Sequence, residues 1–93
     1  MTPRPRSAQR SDAKRAMLRC SARCERVKEM LKVARAQRDD AKVDVAKSPS
    51  AERQRRLTRW ERRVDALESQ ERKAASRYAD ATLKHHGLLG AAS

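Results

Sequence analysis

The chain has 93 residues and carries a net charge of +12, with 24 Lys and Arg residues against 12 Asp and Glu residues. Its length allows one small domain, and the scarcity of aromatic and β-branched residues excludes a strand-rich fold. The excess of positive charge favours partners that present phosphate groups or acidic surfaces.

The first predicted element is a basic extended arm over residues 1–11. Two prolines alternate with arginines in this segment, and apolar residues are nearly absent, a composition that disfavours packed structure. Residues 1–28 hold nine Lys and Arg against two acids, a net charge of +7. A flexible cationic segment binds phosphates without a defined geometry. The nucleic-acid or anion contacts predicted in and beside this arm are Arg4, Arg6, Arg10, Lys14, Arg15 and Arg19.

Two helices follow, one over residues 12–47 and one over residues 49–86. Along both segments, small or apolar residues recur at alternating intervals of three and four, the pattern of a coiled-coil seam. The predicted seam residues are Met17, Cys20, Cys24, Val27, Leu31, Ala34, Leu57, Trp60, Val64, Leu67, Ala74 and Tyr78.

A turn at residues 48–51 is predicted to join the helices. Pro49 cannot continue the first helix, and Ser48 is the predicted N-cap of the second helix, with Pro49 at its first helical position. So short a connection favours two neighbouring antiparallel helices; one kinked continuous helix is the alternative. Gly87 is predicted to cap the second helix in a left-handed conformation, ahead of a C-terminal tail over residues 87–93.

Antiparallel pairing makes predictions about side chains that flank the seam. Folding the chain about Pro49 brings Asp44 to Arg56 and Arg35 to Glu61, which are pairs of opposite charge. It also places the Arg38 guanidinium over the Trp60 ring. We therefore predict an all-α fold, an antiparallel two-helix coiled-coil hairpin with a flexible basic N-terminal arm.

Residues 53–63 read RQRRLTRWERR and contain six arginines. Leu57 and Trp60 belong to the predicted seam, Arg56 meets Asp44 and Arg53 flanks the turn. Four arginines are then left for the outward face and its edge. The plain interpretation is a solvated helix exterior, and the functional one is recognition of phosphate or carboxylate groups. Stacking of bases on Trp60 is not predicted, because the seam would bury its ring. The predicted anion contacts are Arg55, Arg59, Arg62 and Arg63.

Some apolar residues fall outside the seam. Isolated apolar residues are normal on protein surfaces, but together these predict a second contact surface for another copy or a larger partner. The predicted partner-docking residues are Leu18, Val33, Val43, Leu83, Leu88 and Leu89.

No catalytic, cofactor or metal site is predicted. Cys20 and Cys24 lie one helical turn apart, but the other plausible metal ligands, His85 and His86, lie more than a helical turn away along the seam. A site shared between copies is the alternative, and the two cysteines are expected to be small, apolar, buried thiols. The two histidines are expected to complement the dipole at the helix end. The sequence offers neither a nucleophile and base pair nor a glycine-rich phosphate loop. We expect no enzyme activity and no small-molecule substrate.

The start of the chain is rich in Arg and Ser and poor in acids, as in an organellar transit peptide, but the seam pattern begins inside this segment and disfavours that interpretation. No apolar run approaches the roughly twenty residues that cross a membrane, and the start lacks the apolar core of a secretory signal. The expected location is the cytoplasm or the inside of a virus particle, without secretion.

The leading hypothesis is a non-enzymatic structural or interaction subunit. In it, the hairpin docks on a larger protein assembly or on copies of itself, for example as an accessory or minor capsid-type protein of a phage or virus particle. Its basic arm would face nucleic acid or an acidic surface. The alternative is a sequence-nonspecific nucleic-acid-binding protein, and a third hypothesis is a small protein inhibitor or antitoxin.

Overall fold

The chain forms two helices that pack against each other. This computed structural model describes the backbone of residues 5–90 and the side chains of residues 5–88. Helix α1 covers Arg6–Lys47 and helix α2 covers Ala51–Gly90, and the described residues contain no strand. The prediction of an all-α helical hairpin is confirmed.

The chain divides into two compact units, each built from one stretch of α1 and one stretch of α2. The turn unit is Arg26–Arg72, and the terminal unit consists of residues 5–25 together with residues 73–90. In the turn unit, four residues form a hydrophobic cluster against which the half-buried Trp60 packs. The cluster consists of Leu31, Ala34, Val64 and Leu67.

Two ion pairs join α1 to α2 within the turn unit. Arg56 Nη1 lies 2.7 Å from Asp44 Oδ2, as the antiparallel pairing predicts. Arg35 Nη2 lies 3.3 Å from Glu68 Oε1, whereas Glu61 was its predicted partner. The two glutamates are seven residues apart and therefore lie on the same side of α2, so the long Arg35 side chain can reach toward either of them.

The predicted stack of Arg38 on Trp60 is not among the ring contacts of the described residues. The Arg38 guanidinium turns instead to the neighbouring Asp39 carboxylate, with Nη2 and Oδ1 3.2 Å apart. A charge-assisted hydrogen bond to a carboxylate is stronger than a partly exposed contact with a ring, which accounts for this choice.

The turn differs from the prediction in the serine that caps α2. The Arg53 amide donates a hydrogen bond to Ser50 Oγ at 3.1 Å, and the Gln54 amide donates to the Ser50 carbonyl at 3.0 Å. Ser50 is therefore the N-cap rather than Ser48, because its hydroxyl satisfies an amide that the first turn leaves unpaired. The Ser48 carbonyl accepts a hydrogen bond from Arg53 Nη1 at 2.8 Å.

Helix α1 begins inside the segment that was predicted to be an extended arm. Its first residue is Arg6, and the carbonyl of the preceding Pro5 accepts a hydrogen bond from the Gln9 amide at 3.1 Å. Proline is tolerated at a helix start, and adding residues to an existing helix costs far less than nucleating one. Residues 1–4 of the predicted arm lie outside the described part of the chain.

Helix α2 ends later than predicted and runs through Gly87 to Gly90. No glycine among the described residues has a positive φ, so the left-handed cap at Gly87 is wrong. The next residue, Leu88, is half-buried, and burial of its side chain favours continuation of the helix.

Replacing Gly87 by alanine should stabilise the protein by about 0.5–1 kcal/mol. Glycine in a helix interior costs that much relative to alanine, and an added Cβ would meet no described atom within 4 Å apart from the adjacent residues and the local helix backbone. Thermal unfolding followed by circular dichroism measures the change. A loss of stability would instead indicate that Gly87 is held in the left-handed conformation, which strains alanine.

Burial follows the predicted seam with one exception. Tyr78 is 38% exposed, although the seam pattern placed it inside. A phenol ring is too large for a contact otherwise made by small residues, and its hydroxyl gains from staying in water. Of the remaining predicted seam residues, the buried ones are Val27, Leu31, Ala34, Val64, Leu67 and Ala74, and the half-buried ones are Met17, Cys20, Cys24, Leu57 and Trp60.

Candidate anion-binding interface

The six arginines of residues 53–63 divide into two groups with different surroundings. Arg53 and Arg56 are used within the fold: Arg53 Nη1 donates to the carbonyls of Ser48 and Asp44, and Arg56 pairs with the Asp44 carboxylate. The other four are exposed. We call these four the arginine stripe, and they are Arg55, Arg59, Arg62 and Arg63.

The arginine stripe has no internal partner among the described residues. Arg55, Arg59 and Arg62 are spaced by four and three residues and so share one outward face of α2, with Arg63 at its edge. Within residues 5–88, none of the four guanidinium groups has a hydrogen-bond or ion-pair partner. The predicted anion contacts on α2 are thus brought together by one continuous helix.

Two hollows adjoin the stripe and share Arg59. The first has a volume of about 570 Å³ and includes one acid, Glu52, among its lining residues; the second has a volume of about 440 Å³ and a mainly apolar surface. Three arginines and the chain's single tryptophan line the second hollow, which we call the tryptophan hollow. Its lining residues are Arg56, Arg59, Trp60 and Arg63.

Trp60 is the residue whose surroundings the sequence pattern did not anticipate. Its ring packs against the hydrophobic cluster, as a seam residue should, yet it is only half-buried and also lines the tryptophan hollow. An indole is larger than the leucine or valine that a two-helix seam accommodates, so part of it reaches the surface. A tryptophan at a seam position between arginines is the sequence signal that could have predicted the partial exposure of its ring.

The basic residues predicted near the N-terminus lie on α1 rather than on an extended arm, apart from Arg4, which is outside the described residues. Arg15 pairs with Asp12 at 2.9 Å, and Arg6 also has an interaction partner.

Arg19 lines a hollow of about 640 Å³ in the terminal unit, together with Asp12, Asp80 and Lys84, among others. Because residues of both charge signs line this hollow, it suits an anion less well than the arginine stripe does. Of the remaining two, Lys14 is exposed and Arg10 is half-buried.

The predicted docking residues are mostly exposed. In the terminal unit Leu83 is 72% exposed and Leu18 is also exposed, whereas Leu88 is half-buried; the side chain of Leu89 lies outside the described part. In the turn unit Val33, at 58%, and Val43 are exposed, as is Met30, which was not predicted. Within residues 5–90, neither helix contains a segment that is both long and apolar enough to cross a membrane.

The cysteines and histidines form no recognisable centre. Cys20 and Cys24 are free and half-buried, and no three His, Cys, Asp or Glu side chains of the described residues lie together as a metal site would require. The rings of His85 and His86 meet edge to face, with their centroids 6.0 Å apart. Since α2 continues to Gly90, they precede its last turn and are poorly placed to complement its dipole.

Comparison of the chain with protein-family models, with curated proteins and with solved structures finds no match. Assignment of a function therefore depends on the chemistry of the helix surfaces.

Proposed function

We propose that this protein is a non-enzymatic helical hairpin that binds nucleic acid through its phosphates, without reading the base sequence. The observation that carries this proposal is the arginine stripe, four exposed guanidinium groups on α2 with no partner among the described residues. Guanidinium groups bind phosphates through two parallel hydrogen bonds, and such interactions contain no sequence information.

The dimensions of the stripe support a polymeric ligand. From Arg55 to Arg62 the helix advances about 10 Å, which equals the axial rise of roughly three nucleotides in one strand of B-form DNA. Several phosphates of one strand could thus be bound together. The charge of the whole chain, +12, adds long-range attraction for the same ligand.

A salt titration tests the proposal. Fluorescence anisotropy of end-labelled duplexes of unrelated sequence should give similar affinities, with a log–log salt slope of roughly −3 to −4 if each arginine of the stripe neutralises one phosphate. Absence of binding at low salt, or an affinity that does not change with salt, would rule out this function.

A second candidate function is that of an interaction subunit in a larger assembly, such as an accessory protein of a virus particle. The exposed apolar side chains of Leu18, Val33 and Leu83 favour it. Light scattering without nucleic acid examines the simplest case, self-association. A dimer or larger species that Val33→Glu dissociates, and that Lys32→Glu leaves intact, would support an apolar interface in the turn unit.

A further inference from the structure

Trp60 has two different environments in the turn unit. One part of its ring packs against the cluster that includes Leu31 and Leu67, the two largest fully buried side chains of the described residues. Another part lines the tryptophan hollow on the protein surface. The indole is therefore fixed by the core and at the same time accessible to a ligand.

The other lining residues determine which ligand suits this hollow. Within residues 5–88, Arg59 and Arg63 have no hydrogen-bond or ion-pair partner, and Arg56 is held by Asp44. The surface is mainly apolar and no carboxylate residue lines it. A flat, apolar group with an attached anion fits this combination, and a nucleotide in a strand has both parts. Aromatic side chains beside cationic ones are the usual means of holding single strands.

We propose that Trp60 stacks against an unpaired nucleobase while Arg59 and Arg63 contact the flanking phosphates, so that the preferred ligand is single-stranded nucleic acid. Bases of a duplex are stacked on one another and reach a protein side chain only after they are flipped out. Arg59 also lines the neighbouring hollow with Arg55 and Arg62, so a strand that leaves the tryptophan hollow meets further cations. This inference rests on the proposed binding of nucleic acid.

The chain offers a direct readout, because Trp60 is its only tryptophan. Emission is excited at the red edge of the absorption band, where Tyr78 does not absorb, during titration with an oligothymidylate strand, a duplex of equal length or inorganic polyphosphate. Labelled oligonucleotides measure binding in parallel by anisotropy. We expect the single strand to quench Trp60 strongly, and the duplex and polyphosphate to bind with little quenching.

The outcomes separate this inference from the proposed function. If the single strand binds without quenching, or if polyphosphate quenches Trp60 equally, stacking is disproved while phosphate binding stands. If neither oligonucleotide binds, the proposed function fails, and the inference fails with it.

A pair of variants provides an independent check. Trp60→Leu keeps an apolar side chain against the cluster and removes the ring, and we expect about tenfold weaker binding of the single strand with unchanged binding of the duplex. Tyr78→Leu, which removes the phenol ring, should change neither affinity. Circular dichroism verifies that both variants are folded. If Trp60→Leu is unfolded, the quenching of the unmodified protein decides whether Trp60 stacks against a base. Equal losses for single strand and duplex would overturn the inference.

Discussion

Replacing Leu67 by alanine is expected to lower the free energy of unfolding by about 3 kcal/mol, the largest effect on stability that we foresee for one residue. Leu67 and Leu31 are each 1% exposed and belong to a hydrophobic cluster of only four residues, supported by Trp60. A cavity there cannot be refilled by neighbouring apolar side chains, because there are so few. Urea denaturation followed by circular dichroism measures the difference.

Val33→Ala is the matched control for the core variant. It also removes apolar carbon atoms, but Val33 is 58% exposed, so its effect should remain within about 0.5 kcal/mol. If Leu67→Ala lowered the free energy of unfolding as little as Val33→Ala does, Leu67 would not be part of a packed core. That result would contradict the hairpin seam.

Neutralising the arginine stripe should have the largest effect on binding. Changing Arg55, Arg59, Arg62 and Arg63 to glutamine together is expected to weaken duplex DNA binding about a hundredfold at low salt and to reduce the salt slope by about 0.9 for each phosphate that is no longer neutralised. Glutamine favours helices nearly as well as arginine, and the four side chains have no hydrogen bond or ion pair within the described residues, so the fold should be unchanged. Anisotropy titrations at several salt concentrations measure both quantities.

A charge-matched control distinguishes the stripe from the net charge of the chain. It changes four other exposed cations to glutamine, and these residues are Lys32, Lys42, Arg72 and Lys73. Its net charge is the same as that of the stripe variant, but we expect most of the affinity to be retained. If the control binds as weakly as the stripe variant, binding depends on overall charge and the stripe is not a site.

The hairpin could be predicted because two independent features of the sequence agree. The alternating spacing of small and apolar residues defines one seam on each helix, and Pro49 interrupts the helix between them. The observed pair of Asp44 and Arg56 confirms a prediction of antiparallel pairing that the seam spacing itself did not use.

The ends of the helices were less predictable, because local signals compete there. Ser48 and Ser50 are both suitable caps on either side of Pro49, and only the fold decides that Ser50 Oγ meets the Arg53 amide. At Gly87 the usual preference of glycine for a left-handed cap is overridden by continuation of the helix to Gly90.

For the candidate site, the sequence identified the outward arginines but not the accessible part of Trp60. Periodicity assigns a whole residue to the inside or the outside of a helix pair. A side chain as large as an indole can occupy both, and Tyr78, which is 38% exposed, shows the same limitation. Size relative to the seam, in addition to period, determines which aromatic residues reach the surface.

The arginine stripe lies on a helix that is folded before any ligand arrives, in the same turn unit as the hydrophobic cluster. A basic tail that folds on binding loses backbone entropy on association, whereas a preformed helix immobilises only its side chains. Each guanidinium group should therefore contribute more of its gross interaction energy to affinity than it would on a tail that folds on binding. The heat capacity change on association should remain small, since little additional apolar surface is buried.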